Sequence, residues 1–363
     1  MMNTCYLDNA AMSPISKEIN DRLPSLLEGF YNPSSSYQLA RNNLAEIENV
    51  RQKIADMINA DPDEIIFTSC ASESNALAMN AFNTVFCSPF EHSSISESKA
   101  IRFENEEKLF DWLSDNKDYE NGLYCQMIAN NETGHIYDIK NISKFIHGKK
   151  MYIHVDATAM FGKYLIDVKK LNIDYMSAAF QKIGGIVGCA FLYVKNGVPL
   201  KPLICGSQNN GRRGGTYNYL AIACAGIVLN SNKYFGIDII KKCDYFVNRL
   251  YEIGIKVNFQ KYRKPILVES FMPNIISACV PQIENRELIS LLDNWGIMVS
   301  SGSACNSGNN EPSKVLLSYD LTEEEAKHTI RISFDDSITY AVIDEFISIL
   351  KAVLDTCRLK GNI

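Results

Sequence analysis

Three short stretches of this chain hold residue types that do chemistry: an acid directly after an apolar run, a lysine ahead of paired glycines, and a cysteine among small polar residues. In His154-Val155-Asp156 the carboxylate ends a strand-like segment. There it can pair with a cationic ring nitrogen of a bound group, or simply cap the start of a helix. In Ala179-Phe180-Gln181-Lys182-Ile183-Gly184-Gly185 the lysine has unbranched reach and a tunable pKa. An amine that condenses with a carbonyl needs both, although a solvated surface lysine looks the same in isolation. In Ser300-Ser301-Gly302-Ser303-Ala304-Cys305-Asn306-Ser307-Gly308 the small residues give flexibility and little bulk, so the Cys305 thiol can approach a bound group and swing away. A structural cysteine would sit in apolar surroundings instead. The stretch Ser69-Cys70-Ala71-Ser72-Glu73-Ser74-Asn75 leads from Ile65-Ile66-Phe67-Thr68 into helical-looking Ala76 to Phe82, a place where backbone N–H groups converge and an anion is welcome.

These residues need a frame. Leu39, Leu44, Ile47, Val50, Ile54 and Met57 recur at helical spacing and predict a long amphipathic helix over Leu39–Met57. Ile65–Thr68, Met151–Val155, Ile173–Ser177 and Gly188–Val194 are short apolar runs separated by turns and helical stretches, the alternation of a mainly parallel sheet covered by helices. A second helix carries Ile239, Ile240, Cys243, Phe246, Val247, Leu250 and Ile253 on one face and stops at Gly254. Beyond it, strands at Ile275–Val280 and Ile330–Phe334 and a helix from Ile343 to Leu354 predict a smaller α+β unit. The expected organisation is α/β, with a large domain over residues 14–235 and a small domain built from 1–13 and 236–363.

Composition narrows the function. Of the 363 residues 46 % are hydrophobic and 21 % charged, which excludes disorder and low-complexity polymers. The formal net charge of -6 argues against a nucleic-acid or anionic-membrane partner. No apolar run approaches the roughly 20 residues that span a bilayer, and Met1-Met2-Asn3-Thr4-Cys5 lacks a basic segment followed by an apolar one, so a cytoplasmic location is expected. The 11 cysteines form no CxxC pairs, so neither a disulfide framework nor a metal site is expected.

Taken in order, Tyr6-Leu7-Asp8-Asn9-Ala10-Ala11, Asn32-Pro33-Ser34-Ser35, Ile65–Ser69 with Glu73-Ser74-Asn75, Glu91-His92, Asn130-Asn131-Glu132-Thr133-Gly134, His154-Val155-Asp156-Ala157, Gly214-Gly215-Thr216 and Val299–Cys305 resemble the cysteine desulfurases, class V aminotransferase-like enzymes of fold type I. The resemblance runs from about Tyr6 to Phe334, and the serine-rich Cys305 stretch is similar to the group whose cysteine rides on a long loop.

The resemblance implies pyridoxal 5'-phosphate as cofactor. Lys182 would join it covalently, Asp156 would pair with the pyridine nitrogen and His92 would stack on the ring. Asn131 would lie near the ring oxygen, with Ala71, Ser72 and Gln181 among the groups around the cofactor. Thr216 would reach the phosphate of a neighbouring subunit, which implies a homodimer. Arg331, with Asn32, would hold the substrate carboxylate, where a planar fork gives paired hydrogen bonds. Cys305 would take the sulfur of L-cysteine as a persulfide, leave L-alanine, and pass the sulfur to an acceptor protein such as an iron–sulfur scaffold or a tRNA-thiolation enzyme.

Some positions depart from that pattern. Ala159 stands where a glutamine is usual, Ala179 where a serine is, Gln181 where a histidine precedes the lysine, and Tyr37 where a histidine is usual, while Asn80–Ile128 is shorter than the norm. Gln181 and Ala159 resemble class V aminotransferases acting on other amino acids, so an aminotransferase or lyase is a second reading. A degenerate homologue with a scaffold role is a third.

Overall fold

The computed structural model describes residues 5–116, 119–231, 234–259, 270–302 and 311–359. The strands in chain order are β1 (Cys5–Tyr6), β2 (Ile65–Thr68), β3 (Val85–Cys87), β4 (Ile101–Arg102), β5 (Leu123–Met127), β6 (Tyr152–Asp156), β7 (Tyr175–Ala179), β8 (Ala190–Val194), β9 (Lys256–Val257), β10 (Ile275–Cys279), β11 (Ile297–Met298) and β12 (Thr329–Ser333). The chain divides into two compact units, Ser13–Ile128 with Asp138–Tyr234, and Met1–Met12 with Ala129–Tyr137 and Phe235–Ile363. The sequence gives no hint that Ala129–Tyr137 groups with the C-terminal part, because nothing in its composition breaks there.

The first unit holds a 7-stranded sheet in the order β2-β8-β7-β6-β5-β3-β4. Strands β7, β6, β5, β3 and β4 run parallel, and β8 is antiparallel to both of its neighbours, β7 and β2. Two reversals restore the direction, so β2 points the same way as β7. Every strand of this sheet except β8 therefore ends at one edge, where the crevice of such a sheet lies. Strands β2, β3 and β5 to β8 are buried along their whole length or nearly so, which is why they read as continuous apolar runs rather than alternating ones.

The expected Leu39–Met57 helix is observed as Gln38–Ile58, closed by Asn59 in the left-handed region with φ 58°. It packs on the buried helix Tyr219–Ser231. Their approach is close: a Cβ on Gly226 would lie 2.6 Å from Val50 Cγ2.

The second unit has an antiparallel sheet in the order β12-β10-β9 and a parallel pair β1-β11. Helices Ile237–Glu252, Asn285–Asp293 and Tyr340–Leu359 flank them. Its core is built on Phe246, whose ring centroid lies 5.8 Å from that of Phe334 and 5.3 Å from that of Phe346. Among the described residues no helix is long and apolar enough to cross a membrane, no group of metal-ligating side chains gathers, and the cysteines are free thiols.

The Gly226 contact yields a packing prediction. Gly226→Leu must displace the long helix from its partner and lowers stability by about 1–3 kcal/mol in thermal or urea unfolding, and Val50→Ala in the same chain recovers part of the loss.

Candidate active site

The shared edge of the first unit's sheet collects the chemistry. Asp156 is the last residue of β6, and Lys182 ends the single helical turn Phe180–Lys182 that follows β7, the neighbour of β6. Glycines then make the turn. Gly184 has φ +90°, and a Cβ on Gly185 would lie 2.8 Å from Phe180 Cβ, so the backbone folds back tightly after Lys182. Ser13 Oγ donates to the Lys182 carbonyl at 2.8 Å, and the Lys182 side chain is half-buried.

Asp156 is buried, and a buried carboxylate must be matched by donors. Its Oδ1 accepts the Thr158 backbone N–H at 2.9 Å and its Oδ2 accepts from Asn75 Nδ2 at 3.0 Å. The same amide donates to Ser94 Oγ at 2.9 Å, and Ser94 Oγ lies 2.9 Å from His92 Nδ1. The Ser94 N–H also donates to Nδ1, at 3.1 Å, so His92 Nδ1 is an acceptor and its proton sits on Nε2. A continuous hydrogen-bonded chain therefore runs from the imidazole through Ser94 and Asn75 to the carboxylate.

A third contribution comes from the end of β2. The helix there is Ala71–Met79, starting earlier than the apolar pattern at Ala76 indicates, and its N-cap Cys70 supplies no side-chain cap. The N–H groups of Ala71, Ser72 and Glu73 are thus directed at the edge without a side chain of the cap residue across them, the arrangement that holds a phosphate. The Glu73 carboxylate does not fill that place. Arg213 Nε and Nη2 donate to it as a fork at 2.7 and 3.1 Å, and the Ser69 N–H and hydroxyl also donate to it. Burial pushes the Glu73 pKa up, but the Arg213 and Ser69 hydrogen bonds outweigh it and hold the carboxyl below its ordinary range.

Unpartnered buried atoms test whether this edge is built for a ligand. Asn75 Oδ1, Thr158 Oγ1 and Gln181 Oε1 are buried without a hydrogen-bond partner, and these residues touch Asp156, follow it, and precede Lys182. Such orphans are costly unless something else satisfies them. A group carrying a cationic ring nitrogen, a ring hydroxyl and a phosphate fits the carboxylate, the polar atoms and the helix start.

Of the residues expected at the site, Lys182, Asp156, His92, Ala71, Ser72 and Gln181 lie in this unit around the sheet edge. Thr216 is exposed after the Gln208–Gly211 turn, and Asn32 is exposed with its Oδ1 accepting from Ser34 N–H at 3.0 Å. Asn131 and Arg331 belong to the other unit and touch each other, Arg331 Nη1 donating to the Asn131 carbonyl at 2.9 Å. Arg331 is only 2 % exposed; its Nη1 also donates to the Gly302 carbonyl at 2.6 Å and its Nη2 to Asp8 Oδ1 at 2.6 Å, while Nε has no partner. Cys305 lies outside the described residues. Asn75 lies in one of the motifs that carry the resemblance, but no spacing along the chain marks its pairing with Asp156, nor the link through Ser94. Reading Ser69–Asn75 as a pre-helical loop hid Asn75, which the earlier helix start instead turns inward, one turn beyond the N–H groups.

The class-V aminotransferase family profile matches residues 5–101 and 106–346. A cysteine desulfurase IscS from Dictyoglomus turgidum is 31 % identical, covering 99 % of this chain and 96 % of that protein. The structure of a NifS-like protein from Rickettsia africae matches with a TM-score of 0.85 at 28 % identity, covering 97 % of this chain and 100 % of that one. A structure described as SspA in complex with cysteine matches with a TM-score of 0.77 at 27 % identity, covering 91 % and 99 % of the respective chains.

The interior behind Asp156 adds a pH prediction. His154 is fully buried on β6, its Nε2 paired with Ser177 Oγ at 2.8 Å and its Nδ1 without a partner. Burial drives its pKa down to about 4, with the nearby Asp156 charge opposing that shift. Between pH 6.5 and 4 the unfolded chain then binds a proton the folded chain refuses, so stability falls as pH falls through that window, by on the order of 3 kcal/mol. Urea titrations across this range should show the loss, and His154→Gln should flatten it.

Proposed function

Because the chain belongs to the class-V aminotransferase family, we propose that it is a pyridoxal 5'-phosphate-dependent cysteine desulfurase, converting L-cysteine to L-alanine with the sulfur taken up by Cys305. The observation that carries the cofactor assignment is the buried Asp156 carboxylate, held by Asn75 on the sheet edge that also bears Lys182 and the uncapped start of helix Ala71–Met79. Lys182 would hold the cofactor covalently, with Asp156 for its ring nitrogen, His92 for its ring, Ala71 and Ser72 for its phosphate, and Gln181 and Asn131 among the polar groups around it. Bound there, the cofactor supplies an electron sink that makes an amino-acid Cα–H acidic.

The remaining work falls to side chains of this chain. The Lys182 amine takes the Cα proton and later returns one. Arg331 and Asn32 orient the substrate carboxylate; three of the five Arg331 N–H groups are engaged, by Asn131, Gly302 and Asp8, which leaves the Nε–H and the second Nη2–H as donors on that guanidinium. The Cys305 thiolate attacks the substrate sulfur, so an S–S bond forms as the Cβ–S bond breaks, and the electron pair left on the carbon side is protonated as L-alanine departs. The sulfur then passes to an acceptor protein, of which an iron–sulfur scaffold or a tRNA-thiolation enzyme has suitable chemistry. The exposure of Thr216 leaves it free to meet a neighbouring subunit's cofactor in a homodimer, and the net charge of -6 favours a partner set without nucleic acid or anionic membrane for an enzyme placed in the cytoplasm.

The test is to load the purified protein with pyridoxal phosphate, add L-cysteine and weigh the Cys305 peptide. One added sulfur and stoichiometric alanine are expected. Lys182→Ala abolishes the visible absorbance of the loaded protein, and Cys305→Ala abolishes the added sulfur while the absorbance persists. A keto-acid product indifferent to Cys305 would identify an aminotransferase instead.

A further inference from the structure

The reaction proposed above needs Cys305 delivered to a fixed place, and the structure contains a device that holds the chain on both sides of it. Before Cys305, Ser300 is paired with Arg331 in an antiparallel bridge, the Arg331 N–H donating to the Ser300 carbonyl at 2.6 Å and the Ser300 N–H to the Arg331 carbonyl at 3.2 Å. Gly302 follows. Its carbonyl takes Arg331 Nη1 at 2.6 Å, its φ is +105°, and a Cβ there would lie 2.7 Å from Glu132 Oε2. After Cys305, Ser313 Oγ donates to the same Glu132 oxygen at 2.6 Å while capping the helix Lys314–Ser318. The atom that Ser313 bonds thus occupies the space where a side chain at residue 302 would begin, and these two residues flank Cys305 in sequence.

Glu132 is itself rigidly held. The Asn130 side-chain oxygen accepts the N–H groups of both Glu132 and Thr133 at 2.9 Å, and Gly134 closes that turn with φ +78°. Its carboxylate is buried; burial pushes its pKa up, and the Ser313 hydrogen bond and the Arg331 charge pull the other way. A buried carboxylate is an expensive way to fill space, and here it satisfies a hydroxyl from one side of the Cys305 segment while occupying the space a Cβ would need at residue 302, whose φ of +105° itself favours glycine.

We propose that Glu132 is a positioning residue for sulfur transfer, its carboxylate bonding Ser313 in the space beside Gly302 and so keeping together the two ends of the segment that carries Cys305. This rests on the desulfurase reading, and it assigns to Glu132 the step at Cys305 rather than the step at Cα.

Two readouts on the loaded enzyme separate those steps: solvent deuterium exchange at the Cα of L-alanine, which needs no thiol, and the single-turnover rate of sulfur appearance on Cys305 with L-cysteine. Ser313→Ala should slow sulfur appearance by about ten- to a hundredfold and leave alanine exchange within about twofold of the unaltered protein. Ser313→Thr, which keeps the hydroxyl, should restore the rate. Glu132→Gln should slow sulfur appearance similarly, and Glu132→Gln with Ser313→Ala should be no slower than the slower single variant, because both cut one tie. Unchanged sulfur appearance, parallel loss of both readouts, or multiplying losses in the double variant would each overturn the proposal. Should the unaltered protein transfer no sulfur, amide hydrogen exchange at Gly302 in the cofactor-free protein decides: acceleration of about tenfold in Ser313→Ala upholds the tie though the reaction reading falls, and unchanged exchange overturns it.

Discussion

Parallel strands cannot be joined by hairpins; each must be followed by a crossing that returns the chain to the same starting edge. That constraint orders the larger sheet. Strands β3, β5, β6 and β7 all deliver their last residues to one side, and the paired reversals at β8 bring β2 there too. The acid ending β6, the lysine after β7, the histidine after β3 and the helix start after β2 meet at an edge because strand direction leaves them no other place.

Meeting at an edge does not make the groups usable. Asp156 is a buried carboxyl group and needs hydrogen-bond donors; a side-chain amide and a backbone N–H supply them. Asn75 then does two jobs with one amide group, holding Asp156 and fixing Ser94, which in turn sets the tautomer of His92. Arg213 removes the competing Glu73 carboxylate from the helix start by a two-point fork. The changes at Ala159, Ala179 and Gln181 leave this network intact, since none of its hydrogen bonds passes through those side chains.

The other unit solves a different electrostatic problem. Arg331 is a cation with almost no access to water, and it is compensated by one carboxylate, Asp8, and two carbonyls, those of Asn131 and Gly302. Its position therefore depends on the N-terminal strand, on the Asn130–Gly134 turn and on the chain leading to Cys305. This also explains why Ala129–Tyr137 groups with that unit: its turn is hydrogen-bonded into the arginine's surroundings.

Apolar runs and glycine turns are local signals, so the α/β class and the strands leading to Asp156 and Lys182 were legible in the chain, while the roles expected of the lysine, acid and thiol rest on ordered motifs that resemble the cysteine desulfurases. The helix at Ala71 was legible only in part, since Ser, Glu and Asn read as loop until burial of Asn75 selects helix. The Asn75–Asp156 pair, the Ser94 link, the engagement of Arg331 by Asp8 and the convergence of Gly302 and Ser313 on Glu132 were decided by tertiary structure alone. Each joins residues distant in sequence through one hydrogen bond or one steric contact, and no periodicity or spacing along a single chain records which buried donor will face which acceptor.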